Sequence, residues 1–340
     1  MRRTTIIVSW LLVMVFALSA GVGAQGTRVV IYSALDSAVT TEVLKAFERR
    51  TGLRTEALTL AAAGTLSTRI TAERARPQAD IFLGGSNDFH APLAKAGLLE
   101  AYKSPVLAEA KLAPEFYDPQ GYWYGWYIGA LSIFYNRNRF ERELAPRGIR
   151  PPATWDDLLN PAFRGQLVLP SPITTGGGFI FVAAQIFRLG SEDRAFEWLK
   201  QLAAGATFTP TAPAPITLVS RGEAIVGMNW GHDVRSMAVN QGFPVEIVFP
   251  ADTATEIGGV SIIKGGPNPV GARQFVDFIL TRTPQDINAK FGLRYPTRTD
   301  APAPMGMPAL STLKFVKYDR QWAIDNQNRL RQKWQQVIGK

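Results

Sequence analysis

The sequence predicts an α/β protein of two units joined by strands that cross between them. The chain has 340 residues, which corresponds to roughly two domains at about 150 residues each. Short β-branched runs alternate with segments of helical spacing, a pattern typical of parallel βαβ units with right-handed crossovers. Strand-like segments near 125–131 and 248–256 lie where the chain would pass from one unit to the other.

The alternation is clearest at the start of the first unit. Residues 28–33 form a β-branched apolar run that predicts a buried strand. Residues 40–50 have helical spacing and are followed by Gly52, a residue typical of helix C-termini. Further strands are predicted at 53–60, 79–83, 128–135, 167–170, 224–230, 245–249 and 259–263, and helices at 65–76, 179–189, 193–202, 272–280 and 320–337. The aromatic run 122–127 is interpreted as core and hinge packing, with a sugar-stacking platform as the alternative.

Composition excludes several classes of protein. With 46% hydrophobic and 19% charged residues the chain is globular, not disordered, collagenous or coiled-coil. The absence of cysteine excludes thiol catalysis, cysteine-ligated metals and disulfides. Two histidines, His90 and His232, argue against a multi-histidine catalytic metal centre. We therefore predict no cofactor and no metal site, and we assign no role to His90 beyond capping a helix start.

Residues 1–24 have the pattern of a secretory signal peptide. A basic start at Met1–Arg3 precedes an apolar run at 6–20 and small residues at 22–24. The alternative, a transmembrane anchor, needs about 20 apolar residues, more than this run contains. Without a cysteine for lipid attachment, the pattern predicts a soluble protein released into the periplasm.

The net charge is positive but spread along the chain. The formal charge is +9, and loss of Arg2 and Arg3 with the signal would leave +7. Export argues against a nucleic-acid partner. A solvated basic surface is one interpretation, and a mild attraction for a small anion is the other.

Small polar segments follow the predicted strands. Ligands of open α/β sheets bind beyond the carboxyl ends of the strands, which here means Ser33–Ser37 and Gly84–Asp88. The run Thr174-Thr175-Gly176-Gly177 lies between a strand and a helix, where free backbone N–H groups favour anions and glycine lets a ligand approach. An ordinary capped turn is the alternative. The P-loop lysine is missing, so ATP binding is not predicted.

Two further segments carry polar residues. His232 and Asp233 follow a strand directly and could contact a polyhydroxyl ligand, form part of a catalytic triad, or leave Asp233 to cap a helix from Val234 onward. Glu256 precedes two glycines at the second crossing and could accept hydroxyl hydrogens, unless it is a surface carboxylate. No serine lies in a Gly-x-Ser-x-Gly elbow, so we predict no catalytic residue, and a hydrolase that uses His232–Asp233 remains a minor alternative.

Five motifs occur in an order that resembles a known family. Together they resemble the family 1 solute-binding proteins of bacterial ABC importers, in the ferric-binding-protein-like and hexose-phosphate-binding branch, over nearly the whole mature chain. The resemblance implies a type II periplasmic-binding-protein fold, usually monomeric, whose two lobes close on a solute and dock on a permease with its ATPase. It places lobe 1 at 27–127 plus 255–305 and lobe 2 at 128–254 plus 306–340. The motifs are VVIYSALDS, QADIFLGGS, TTGGGF, NWGHD and EIGGVSIIKGGPNP.

The resemblance implies two kinds of ligand. Ferric-binding members use ligands from two loops and a tyrosine pair, at positions that here look like Asp36, Ser86 and Trp230–His232. The tyrosine pair is absent, so ferric iron is the alternative. Hexose-phosphate-binding members resemble this chain in a His–Asp pair followed by a Glu, here His232, Asp233 and Glu256. The phosphate would then contact Ser33, Ser86 and the Thr174–Gly177 helix start, and a small phosphorylated solute, a hexose phosphate or a phosphonate, is the predicted ligand.

Overall fold

A computed structural model describes residues 28–60 and 62–339, and the predicted signal peptide lies outside these residues. The strands are β1 (Arg28–Ser33), β2 (Arg54–Thr59), β3 (Ile81–Ser86), β4 (Leu99–Glu100), β5 (Tyr124–Asn136), β6 (Leu167–Pro170), β7 (Ala206–Thr209), β8 (Val226–Trp230), β9 (Val245–Val248), β10 (Thr255–Ile263) and β11 (Tyr295–Pro296). The helices are α1 (Ser37–Thr51), α2 (Ala63–Ala72), α3 (Asn87–Lys95), α4 (Arg137–Glu143), α5 (Gly176–Leu189), α6 (Glu192–Gly205), α7 (Pro213–Ser220), α8 (Gly231–Met237), α9 (Pro269–Ile279), α10 (Arg282–Ile287), α11 (Arg320–Asp325) and α12 (Gln327–Val337).

The strands form two mixed sheets that share one long strand. The first sheet has the order β2-β1-β3-β10-β5, with β1 parallel to both β2 and β3 and β10 antiparallel to β3 and β5. The second continues as β5-β8-β6-β7, in which β6 is parallel to β7 and β8. Both cores are apolar, with Phe47 and Phe275 among the buried residues of the first and Phe179 and Leu199 among those of the second.

Strand β5 is the crossing strand. Its first half, up to Ala130, pairs with β10, and its second half, from Leu131, pairs with β8 and β9. The chain returns between the ends of β9 and β10, so two adjacent segments connect the sheets. The predicted fold, with two α/β lobes and a hinge of crossing strands, is confirmed, and the residue-level lobe boundaries stay a prediction.

The C-terminal segment differs from the prediction of one helix over 320–337. It breaks at Asn326, whose side chain donates to the carbonyl of Trp322 at 2.9 Å, and side-chain to backbone bonds of this kind compete with helix continuation. Helix α11 packs against α3 beside the first sheet, and α12 packs against α5 beside the second. The segment therefore spans both lobes. Within residues 28–60 and 62–339, none of the helices has the length and apolar character that crossing a membrane requires.

Candidate functional site

One cavity lies between the lobes, at the carboxyl ends of strands from both sheets. The empty space that it encloses, including the part open to solvent, is about 720 Å³. Residues of the loop after β1, of the β3 end, of β8 and of β10 contribute to its walls. It is lined by Ala34, Asp36, Ala62, Ala63, Gly85, Ser86, Phe89, Tyr127, Thr175, Gly176, Gly177, Ala212, Pro213, Trp230, His232, Asp233, Met237, Glu256 and Arg294.

All but two of the site residues predicted from the sequence line this cavity. Ser33 does not, because it is fully buried and its hydroxyl lies 2.8 Å from the Thr40 hydroxyl. Thr174 does not either, because it is exposed and donates its hydroxyl hydrogen to the Pro210 carbonyl at 2.8 Å. The residues brought together are Asp36, Ser86, Thr175, Gly176, Gly177, Trp230, His232, Asp233 and Glu256.

Two helix N-termini meet at one end of the cavity, which we call the amide end (Ala62, Ala63 and Thr175–Gly177). Helix α2 begins there without a side-chain cap. In α5, Thr175 accepts from the Gly178 N–H at 3.1 Å, and the N–H groups of Gly176 and Gly177 have no acceptor within a helix. The two helix starts contribute partial positive charge from opposite lobes, an arrangement that favours an anion.

Thr175 should contribute to stability by capping α5. Its hydroxyl also donates to the Ser171 carbonyl at 2.7 Å. We expect Thr175→Ala to lower the free energy of unfolding by about 1 kcal/mol, because N-cap hydroxyls contribute about that much. Thr175→Ser, which retains the hydroxyl, should lose much less. Urea denaturation of both variants measures the difference, and equal losses would contradict the capping role.

Ser86 contributes a second hydroxyl to the cavity wall. It ends β3, caps α3, and donates to the carboxylate of Asp88, which is fully buried. Burial raises the pKa of Asp88 above its ordinary value. His90, predicted to cap a helix, lies within α3 instead, with Nδ1 2.7 Å from the Ser261 hydroxyl and Nε2 3.1 Å from the Gly84 carbonyl oxygen.

The same cavity is lined by a second set of residues, which we call the acid end (Asp36, His232, Asp233, Glu256 and Arg294). Helix α8 begins at Gly231 and has no side-chain cap, so the alternative in which Asp233 caps a helix from Val234 is wrong. Glu256 lies within β10 and is 5% exposed, so it is not a surface carboxylate.

His232 is buried without a hydrogen-bond partner. It is 1% exposed, and its Nε2 lies 3.3 Å from Asp233 Oδ1 and 3.8 Å from Glu256 Oε1. Neither contact has hydrogen-bond geometry, and Nδ1 has no partner among the described residues either. Burial lowers the pKa of His232 well below its ordinary value, so the ring is neutral. Gly129 leaves room for this group, because a Cβ there would lie 2.6 Å from His232 Cε1.

Two carboxyl groups of the acid end, those of Glu256 and Asp233, have pKa values above the ordinary range. Burial raises the pKa of Glu256 to about 8 and that of Asp233 to about 6, and the Arg294 charge opposes both shifts. At neutral pH, Glu256 is therefore mainly uncharged, and it can donate a hydrogen bond as well as accept one.

Arg294 is the residue that the sequence analysis missed. It is 5% exposed and donates from Nη1 to Asp36 Oδ2 and from Nη2 to Asp233 Oδ1, both at 3.0 Å. Its guanidinium carbon lies 5.2 Å from the centre of the Tyr127 ring. Burial by itself would lower the pKa of Arg294, but the charges of Asp233 and Asp36 raise it. No motif marked the residue, since it follows an irregular helical turn, Asn288–Gly292, far from the other site residues in sequence.

A cavity between two lobes that share crossing strands is the architecture of a solute-binding protein. Residues 76–321 match the family model of the bacterial extracellular solute-binding proteins. The chain belongs to this family, and it is the periplasmic solute-binding component of an ABC importer.

Known proteins similar to this chain include solved structures and curated sequences. AfuA from Actinobacillus pleuropneumoniae, solved with exogenous fructose-6-phosphate bound, is 32% identical over 92% of this chain and 98% of its own, with a TM-score of 0.85. An uncharacterized protein of Haemophilus influenzae is 31% identical over 95% of this chain and 93% of its own. A putative 2-aminoethylphosphonate-binding periplasmic protein of Salmonella typhimurium is 24% identical over 75% of this chain and 73% of its own. Iron-bound HitA from Pseudomonas aeruginosa shares the fold, at 22% identity over 90% of this chain and 98% of its own, with a TM-score of 0.76.

Proposed function

We propose that this protein captures a small phosphorylated solute, of the hexose phosphate class, by hinged closure of its lobes and without covalent change to the ligand. The phosphate binds at the amide end and the sugar hydroxyls bind at the acid end. The loaded protein then delivers its solute to a membrane permease that works with an ATPase.

One observation carries the proposal: the same cavity has an uncapped helix start at one end and a buried, unpartnered histidine at the other. A buried polar group without a hydrogen bond costs about 1–3 kcal/mol. A sugar hydroxyl both donates and accepts, so it can satisfy His232 and Glu256 together. A phosphate matches the helix starts, since its oxygens accept from several N–H groups at once.

The ligands named for two relatives support the proposal that the solute carries a phosphate or phosphonate group. AfuA was solved with fructose-6-phosphate, and the Salmonella typhimurium protein is described as binding a phosphonate. These two ligands share a phosphorus-centred anion and differ at the other end. The acid end of the cavity is therefore where specificity within this class arises.

The ferric-iron alternative has less support in this chain. Among the residues that the structure describes, no group of three His, Asp or Glu side chains is arranged to hold a metal ion. Two of the carboxylates in the cleft, Asp36 and Asp233, are already paired with Arg294. A hydrolase would need a nucleophile beside His232, and no hydroxyl is bonded to this ring.

Isothermal titration calorimetry of the mature protein tests the proposal. Fructose 6-phosphate should bind more tightly than inorganic phosphate or fructose, because only the complete ligand spans both ends of the cavity. His232→Ala should weaken fructose 6-phosphate binding by about tenfold, the effect of one lost hydrogen bond of about 1.4 kcal/mol. The same variant should leave inorganic phosphate binding unchanged. Binding of Fe(III) with no response to any organophosphate would refute the proposal.

A further inference from the structure

Charge is distributed unevenly in the cleft. Three carboxyl groups, Asp36, Asp233 and Glu256, and one guanidinium, Arg294, line the cavity. If the acids were left uncompensated, the acid end would attract a cation and oppose a phosphorylated ligand. The state of these acids therefore determines which solutes the cavity can accept.

Arg294 forms ion pairs with two of the three acids at once. Asp36 lies just before α1 beside the first sheet, and Asp233 lies in α8 beside the second, so the two ion pairs reach across the cleft. The arginine is itself buried, and its side chain is 6% exposed. Buried charges persist in proteins when they are paired, so the two ion pairs keep this buried guanidinium in its charged form.

The other two groups at the acid end, His232 and Glu256, add little charge at neutral pH. The His232 ring is neutral, and burial raises the pKa of Glu256 to about 8. The polar groups that remain for the ligand are both His232 nitrogens, the Glu256 carboxyl group and Arg294 Nε. Like the His232 nitrogens, Arg294 Nε has no hydrogen-bond partner among the described residues.

We infer that Arg294 is a specificity-determining residue: it pairs with both Asp36 and Asp233 and leaves neither carboxylate free for an ammonium group, so that the cavity selects phosphorylated ligands with an uncharged polyol end over those with an ammonium group. This inference rests on the proposed function and deepens it. An ammonium at the acid end would face the guanidinium and would find no free carboxylate, whereas a hydroxyl would find both donors and acceptors.

A matched pair of ligands tests the inference. Glucose 6-phosphate and glucosamine 6-phosphate differ only in one hydroxyl exchanged for an amine, which is largely protonated at about pH 6.5. We expect the wild-type protein to bind glucose 6-phosphate about tenfold more tightly than glucosamine 6-phosphate. This is a modest effect for the repulsion between a ligand ammonium and a guanidinium in the same cavity. Titration calorimetry of both ligands gives the affinity ratio.

Three variants assign the preference to Arg294. Arg294→Gln should reduce the ratio by about tenfold, because it leaves both aspartates uncompensated. Arg294→Lys keeps the positive charge and should retain the preference. Asp36→Asn should raise the ratio, because it removes a negative charge beside Arg294. The variant should still fold, since the asparagine oxygen can cap α1 as Asp36 Oδ1 does by accepting from the Val39 N–H.

The outcomes separate this inference from the proposed function. A ratio that is unchanged in Arg294→Gln, or near one in the wild type, overturns the inference while sugar phosphate binding stands. If the wild type binds no sugar phosphate, both are overturned. If Arg294→Gln does not fold, Asp36→Asn decides: a higher ratio supports the inference, and an unchanged ratio overturns it.

Discussion

An Ala63→Asp variant is expected to bind fructose 6-phosphate about 100-fold more weakly than the wild type, a loss of about 2.7 kcal/mol. Ala63 is the first residue of α2 and lines the amide end of the cavity. A carboxylate at this position would occupy the uncapped helix start and repel the phosphate that we propose binds there. Calorimetric titration of the variant measures the loss.

The same substitution should not damage the fold. An acidic residue in the first turn of a helix stabilises it by about 0.3–1 kcal/mol, so the melting temperature should stay constant or rise. Ala63→Asn is the matched control, since asparagine has nearly the same size without the charge, and its affinity should stay within about threefold of the wild type. Equal weakening by both variants would show that space at this position, and not charge, matters.

The second large effect is on stability as a function of pH. Glu256 has a pKa near 4.5 when exposed and about 8 in the folded protein, because burial penalises its charged form. Between these values the folded state binds more protons than the unfolded state, so the free energy of unfolding falls as pH rises and levels off above pH 8. Between about pH 6.5 and 8, we expect the empty protein to lose about 1.6 kcal/mol, because the slope of 1.36 kcal/mol per pH unit falls off as Glu256 becomes half ionised near pH 8.

This pH window separates Glu256 from Asp233 and from the two histidines. The pKa of Asp233 is raised only to about 6, and the pKa values of His232 and His90 are lowered, so their contributions change below about pH 6.5. Glu256→Gln should flatten the curve between about pH 6.5 and 8, because glutamine does not titrate. Urea denaturation at several pH values measures both proteins. A variant with the same slope as the wild type would assign the dependence to another group.

Much of the fold could be predicted because the strands and helices depend on residues that are close together in the sequence. The β-branched run at 28–33 and the helical spacing at 40–50 correspond to β1 and α1, and Gly52 ends that helix in a left-handed conformation, with φ at 75°. The observed boundaries of an element differ from the predicted ones where tertiary contacts extend that element. The strand predicted at 259–263 begins at Thr255 in the structure, because β10 continues its pairing along β5.

Most of the site could be predicted for a topological reason. Strands in βαβ units end at the same edge of a sheet, so polar residues directly after a strand, such as Ser86 and Asp233, can be assigned to one edge without knowledge of their contacts. Ser33 shows where this reasoning ends. It also closes a strand, but its hydroxyl faces Thr40 inside the lobe, and no spacing rule distinguishes the two cases.

The sequence by itself determined the class of protein, the alternation of strands and helices, and the position of polar groups at strand ends, because each depends on residues close together in the chain. Tertiary structure alone decided the charge of the site. Arg294 reaches Asp36 and Asp233 only because the fold brings together residues 258 and 61 positions apart in the chain. Electrostatic compensation depends on distance and burial, and neither quantity is encoded in local sequence.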